Sequence, residues 1–279
     1  MLQRSALPTS LPPTLLLTLL ALGSAFLPSL AHAQVAADDA AIDRLIALTA
    51  LGNELAYDLA QSRRFVAADC AARSGCRAYE PEVAAALNEA QTDLRLGPLV
   101  RPQVLELLET MGDIERSELF AFYESPFGRR IVELETAGRS PESLDEIATR
   151  GEEIYQRQSD ERIALFEAID SMSDASASVR VNARSALRIA EYLERRADEA
   201  GRPHRPATEP DIDERSRHRF HQRLALTYEP LADEDLEQYV EFLEGSAGES
   251  WAAARREIRQ RVVSADGERL LDAILGRID

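Results

Sequence analysis

The sequence predicts an all-α fold: a helical bundle built from two divergent helix-pair repeats, preceded by a cleavable export signal. Three observations carry this. Apolar residues recur at helical spacing along nearly the whole chain after residue 33, and no segment sustains two-residue alternation with β-branched enrichment. The heptapeptide FYESPFG, Phe122 to Gly128, also returns 120 positions later as FLEGSAG, Phe242 to Gly248. Both copies keep Phe-x-Glu-x-x-x-Gly, with helical apolar patterns on their flanks.

Residues 1–33 read as the signal. Arg4 and the N-terminal amine form its positive end, Leu15 to Leu27 is an uncharged apolar run, and Ala31-His32-Ala33 places small residues at the recognition positions for cleavage after Ala33. That apolar run falls short of the ~20 residues a span needs, and no basic stop-transfer flank follows it, so no stable membrane insertion is expected after cleavage. No Cys opens the mature chain at Gln34 and no twin-Arg pair is present. The expected destination is the periplasm of a Gram-negative cell.

Residues 34–200 form an expected N-terminal helical unit holding the first motif copy, and 211–279 a C-terminal unit holding the second. Between them, 201–210 (GRPHRPATEP) carries three prolines and reads as a linker. Ile42, Leu45, Ile46 and Thr49 open an apolar face that the periodicity continues through Ala56 and Leu59. Pro81 sits at a first helical position ahead of Val83, Leu87, Ala90 and Leu94, and Gly97-Pro98 ends that stripe. A short helix over 101–111 precedes the first motif. Ser140-Pro141 then opens what the spacing of Ile154, Ile163, Phe166 and Ile169 predicts to be one long helix, and another is expected from about Asp174 to Ala200. After the linker, Phe220, Leu224 and Tyr228 define a helix ending before Pro230.

Each motif reads as a helix stop with an immediate restart. Ser125 is placed to cap the new helix, Pro126 suits its first position, and the proline ring disfavours helical geometry at Ser125. Gly128 and Gly248 then fall at the third helical position, where Gly costs ~1 kcal/mol relative to Ala and a missing side chain permits close backbone approach. Phe120, Tyr123, Val240 and Leu243 are expected inside the resulting elbows, with Phe122 and Phe242 at matching positions. Glu124 and Glu244 lie where the dipole of the restarting helix favours a carboxylate. No His base or nucleophile elbow accompanies Glu124 and Ser125, so the motif reads as structural.

A formal charge of −17 opposes binding to nucleic acid, whose affinity rests on clustered cations. All 32 cations are Arg, which excludes Schiff-base lysine chemistry and a P-loop lysine. Cys70 and Cys76 stand alone, and in an oxidising compartment they are expected to form one local disulfide that staples a helix end. Glu214, His218 and His221 fall at i, i+4 and i+7, a spacing that suits zinc or iron, but Arg215, Arg217, Arg219 and Arg223 surround them and oppose a dication. No metal, cofactor or catalytic residue is therefore assigned. The Arg and Glu of RVNARSALRIAEYLERRADEA read as a solvated, salt-bridged face.

The segments FAFYESPFGRRIVELE and YEPLADEDLEQYVEFLEGSAGESW resemble two copies of the conserved segment of an uncharacterised exported bacterial family, defined by domain of unknown function 2059. The family core, Phe-Tyr/Phe-x-Ser-x-x-Gly, is matched at Phe122, Tyr123, Ser125 and Gly128. The second copy departs from it at Leu243 and Gly245. The resemblance implies a helical periplasmic protein and brings no activity or ligand. The functional expectation is a non-enzymatic module that binds a protein or peptide partner through a groove between the repeats. The alternative is a cell-envelope hydrolase whose site is assembled from residues distant in sequence.

Overall fold

The structure, a computed structural model, describes residues 39–92, 96–139, 147–173, 175–201 and 212–278, with the side chains of 91, 92, 147, 148, 175, 178 and 212–215 left aside. The signal, Leu94, the Ser140-Pro141 opening and nearly all of the 201–210 linker lie outside these residues. The chain divides into two compact bodies, residues 1–44 and residues 45–279. Of the first, residues 39–44 are described and are helical. All that follows concerns the second.

Its described residues form α1 (Leu51–Ala72), α2 (Ser74–Arg77), α3 (Glu80–Thr92), α4 (Gly97–Thr110), α5 (Asp113–Glu124) and α6 (Pro126–Ala137). A π-helical turn (Ile147–Gly151) then leads into α7 (Glu152–Tyr155), α8 (Asp160–Ser173), α9 (Ala175–Glu199), α10 (Ile212–Thr227), α11 (Asp233–Glu244) and α12 (Ser246–Ile278). No strand occurs among them, so the fold is all-α. Among the described residues no helix is long and apolar enough to cross a membrane.

Several expected helices are interrupted. The face expected to run on through Ala56 and Leu59 breaks at Ala50, which adopts φ 48° and ψ 30°. At this stop the Leu45 carbonyl accepts both the Thr49 hydroxyl, at 2.8 Å, and the Thr49 amide, at 3.1 Å. The long helix expected through Ile154 and Ile169 is broken at Gln156–Ser159, where the Ser159 hydroxyl accepts the Arg162 amide at 3.2 Å and caps a new start. Gly97-Pro98 begins a helix rather than only ending one, because proline is tolerated in a first turn.

Among the described residues two apolar cores form. One gathers Val66, Tyr79, Val83, Ile189, Leu193, Leu270 and Ile274 from α1, α3 and the turn ahead of it, α9 and the far end of α12. Cys70 and Cys76 lie inside it and are joined by a disulfide, with Cα atoms 4.8 Å apart. The staple ties the end of α1 to α2, and so short a loop is worth about 2 kcal/mol. Within that loop Arg73 reaches Glu194 of α9 at 3.1 Å. The other core gathers Ile131, Phe166, Ile169, Phe220, Leu224, Leu236 and Leu243 around α6, α8, α10 and α11. Arg162 stitches α8 to the turn ahead of α11, donating to the carbonyls of Tyr228 at 2.8 Å and Leu231 at 3.0 Å and pairing with Asp233.

The two motif copies have the same backbone. Helices α5 and α11 each contain 12 residues and share the 120-residue offset end to end. Each starts with a carboxylate three residues into the helix accepting the N-cap amide, Glu115 to Gly112 at 3.0 Å and Asp235 to Ala232 at 3.3 Å. Each stops at one extended residue, Ser125 (φ −64°, ψ 155°) and Gly245 (φ −70°, ψ 153°). A Cβ added at Gly128 would collide with the Phe122 carbonyl, and one at Gly248 with the Phe242 carbonyl. The close neighbour that requires glycine is thus the final turn of the preceding helix. Tyr123 and Leu243 are buried as expected, whereas Phe120 and Val240 are half-buried. The fully inward positions belong to Leu119 and Tyr239.

The copies differ in their caps. Ser125 Oγ accepts the Gly128 amide at 2.9 Å and donates to the Phe122 carbonyl at 2.7 Å, whereas Gly245 has no side chain to do either. Because a Cβ at Gly245 would meet the Phe242 carbonyl at 3.3 Å without a hard clash, Gly245→Ser should install the missing cap and stabilise by about 0.5 kcal/mol. Gly128→Ala and Gly248→Ala should each cost about 2–3 kcal/mol, since backbone must move. Urea unfolding of the three variants measures both; equal, small effects at all three positions would contradict the elbow geometry.

Candidate functional site

The two elbows meet each other. The Phe122 and Phe242 rings stack face to face, centroids 3.5 Å apart and 3° from parallel. Tyr123 meets Phe242 edge-on at 5.8 Å, and Tyr239 stacks on Phe122 at 6.1 Å. A residue touches its own counterpart only beside an approximate two-fold axis. The same 120-residue offset pairs two further sets of residues across this junction. Glu135 corresponds to Arg255, and their side chains approach to 3.7 Å. Arg139 corresponds to Arg259, and both guanidinium groups reach the same oxygen, Oε1 of Glu54, with Arg139 at 3.7 Å. The axis therefore runs from the phenylalanine stack through the Glu135–Arg255 pair to Glu54.

Around that line a charged cluster is sealed inside the protein. Glu54, 1 % exposed, takes Arg255 on Oε2 at 2.6 Å and Arg259 and Arg139 on Oε1. Arg139 also holds Glu135 at 3.1 Å, and Arg259 approaches Asp58 at 2.9 Å. The Tyr228 and Tyr239 hydroxyls both donate to Glu135 Oε1, at 2.8 Å and 2.9 Å.

Burial alone would raise the Glu54 carboxyl, but Arg255, Arg139 and Arg259 together outweigh it and hold it well below the ordinary glutamate value. Glu135 follows the same balance, with Arg139 and Arg255 overcoming its burial. Asp58 goes the other way: burial raises it, Arg259 pulls it down, and the neighbouring Glu54 charge pushes it up again. Burial and the Glu135 charge raise both tyrosine hydroxyls, which keeps them as donors. The cavity beside this cluster measures about 30 Å³, room for water and little else.

A larger depression opens along α1. Its volume is about 260 Å³, and Asn53, Ala56, Tyr57, Ala60, Gln61 and Arg64 line it with Arg139 at its base. Positions 53, 56, 57, 60, 61 and 64 share one face of the helix, which leaves a stripe between two alanines. Arg139 lines both spaces and connects the groove to the buried cluster. The space expected between the repeats is different: the elbows close on each other there, leaving the small cavity.

The two histidines that the spacing put on one face separate. His218 is exposed, with Nε2 3.0 Å from Glu152, while His221 is buried, with Nε2 3.4 Å from Asp170. The Glu214 side chain lies outside the described residues. Among the described residues no three His, Cys, Asp or Glu side chains converge to hold a metal ion. Sequence reasoning missed Glu54, Asp58, Glu135, Arg139, Arg255 and Arg259. Their signal was a charge on an apolar stripe: Leu51, Glu54, Leu55, Asp58, Leu59 and Ser62 form one buried face of α1. Carrying the 120-residue offset past Gly128 also aligns Arg139 with Arg259.

No protein-family model, curated protein or solved structure matches this chain.

The depressed glutamates tie stability to pH. A group whose folded value lies below its unfolded one contributes fully above the unfolded value and loses that contribution as pH falls through the folded one. Glu54 and Glu135 should therefore help to hold the fold above about pH 4.5 and release it progressively below. Arg255→Leu should destabilise by about 3–5 kcal/mol at neutral pH, because it strips two buried carboxylates of a partner. The deficit should shrink in acid as Glu54 protonates. Denaturant titration of both proteins from pH 7 to pH 3.5 checks this; a deficit that does not depend on pH would exclude the electrostatic account.

Proposed function

We propose that this chain is an exported periplasmic member of the family its motif resembles, acting as a non-enzymatic module that binds a peptide segment of a partner protein. The observation that carries this reading is the α1 groove of about 260 Å³. Its walls combine small apolar surface at Ala56 and Ala60, the aromatic Tyr57 and the amides of Asn53 and Gln61. That mixture suits a peptide, whose backbone needs hydrogen-bond partners while its side chains need apolar contact. Gln61 Nε2 already donates to the Tyr57 hydroxyl at 2.8 Å, which fixes that wall.

The competing reading, a cell-envelope hydrolase, draws on Asp58, whose carboxyl burial raises as it would a general acid. Glu54 and Glu135 weigh against it. Both are held ionised, the state that a structural ion pair requires, and the adjoining cavity of about 30 Å³ is too small for a sugar or a peptide bond.

Display of random 12-residue peptides against the oxidised protein purified from the periplasm tests the proposal. Selected peptides should bind the native protein and lose at least about tenfold in affinity to Ala60→Trp, which fills the groove with a large side chain. Failure to select any peptide sensitive to Ala60→Trp would sink the reading.

A further inference from the structure

We infer that the peptide segment taken by the α1 groove presents a carboxylate, read by Arg64 at the rim and Arg139 at the base. This inference rests on the groove being the binding site proposed above. Its first support is the sign of the lining. The protein has 49 Asp and Glu against 32 Arg, yet both charged residues of the groove are Arg and neither carboxylate type lines it. A cationic recess in a strongly acidic surface is a local reversal of field, and a partner's anion is the group it attracts.

The second support is the unequal use of two adjacent arginines. Arg63 turns toward α12 and pairs with Asp266 at 2.8 Å. Arg64 turns into the groove, is exposed, and makes no ion pair or hydrogen bond among the described residues. The third is that Arg139 is already rigid. Its side chain is 12 % exposed and its guanidinium is clamped by Glu135 at 3.1 Å and Glu54 at 3.7 Å, so it offers an oriented charge at little further entropic cost. Arg223 adds to the same field: its guanidinium lies 5.9 Å from the Tyr57 ring centroid, behind the groove wall.

Four guanidinium groups, those of Arg139, Arg223, Arg255 and Arg259, line the inner cavity beside the carboxylates Glu54, Asp58 and Glu135. The cluster therefore carries one surplus positive charge, and Arg64 brings a second to the groove. A peptide carboxylate supplies the missing anion. A nucleic acid would supply it too, but its remaining phosphates would face a chain of net charge −17, which favours the peptide.

The test uses a peptide selected on the native protein and a partner peptide in which each Glu or Asp is replaced by Gln or Asn. Fluorescence anisotropy is read at low and high salt on the native protein, Arg64→Gln and Arg64→Glu. Arg64 is exposed and outside the buried cluster, so these variants should fold. The acidic peptide should bind more tightly than its amide version, lose about fivefold on Arg64→Gln and show reduced salt dependence there. Reselection on Arg64→Glu should enrich Lys or Arg at the position that held the acid. Free acetate or glutamate should not displace the peptide; displacement at millimolar concentration would assign the site to a small carboxylate and overturn the peptide form of the inference. Equal binding of acidic and amide peptides, unchanged by Arg64→Gln, would overturn it as well while leaving the groove reading intact. If no selected peptide responds to Ala60→Trp, both fall.

Discussion

Glu54 is the residue on which the arrangement of the bundle depends. A carboxylate that is 1 % exposed costs several kcal/mol to remove from water, and only an assembled set of counter-charges can repay it. Those charges come from far away in the chain: Arg139 just past the end of α6, and Arg255 and Arg259 from successive turns of α12. Sliding α12 by one turn along α1 would bring one of its arginines into the place of the other and strip Glu54 of one of its three partners. Apolar packing tolerates such slips more readily, because one aliphatic contact substitutes for another. The cluster thus constrains register, whereas the apolar cores among the described residues contribute burial that is not tied to one register. Arg63 and Asp266 repeat the arrangement further along the same pair of helices, at 2.8 Å.

Fixing the register also fixes what the surface displays. Arg139 is held by Glu54 and Glu135 from below while its remaining exposure faces the groove on α1. The groove floor is therefore part of the best-tied region of the protein, not of a mobile edge. An anion arriving there meets a guanidinium whose position has already been set by folding. The cost of ordering the recognition group is borne in the folded state, which is the usual route by which a shallow site gains selectivity.

The helical class and the elbows were legible in the sequence because each rests on local chemistry. Ser125 caps, Pro126 starts, and Gly128 and Gly248 make room for a carbonyl, all within a few residues of one another. The cysteine pair was legible for the same reason. What periodicity failed to see were the interruptions at Ala50 and at Gln156–Ser159, since each turns on a few backbone angles that leave the apolar pattern unchanged. The charged cluster was harder still. Glu54 and Arg255 are 201 positions apart, and nothing local marks them as partners. Their placement on apolar stripes is a signal only to a reader who takes a charge on such a stripe as a question rather than as noise. The histidines show the converse error. Spacing put His218 and His221 on one helix face, but the helix turns them toward different carboxylates, Glu152 and Asp170.

The repeat offset explains why the two copies differ in charge where they meet. If two first copies met across the axis, Glu135 would face Glu135; two second copies would bring Arg255 against Arg255. Either pairing buries like charges within ion-pair distance, in a region too dry to screen them. Only the mixed pairing sets Glu135 against Arg255, at 3.7 Å. The positions that did not diverge make the same point from the other side. Arg139 and Arg259 keep the same residue because both must reach one carboxylate, and that carboxylate, Glu54, belongs to neither copy. Two copies of the motif alone would gather Arg139, Arg255 and Arg259 around a single acid, Glu135. The elbow pair is therefore complete only with α1 in place, and the helix that supplies Glu54 to the axis is the one whose next face carries the groove.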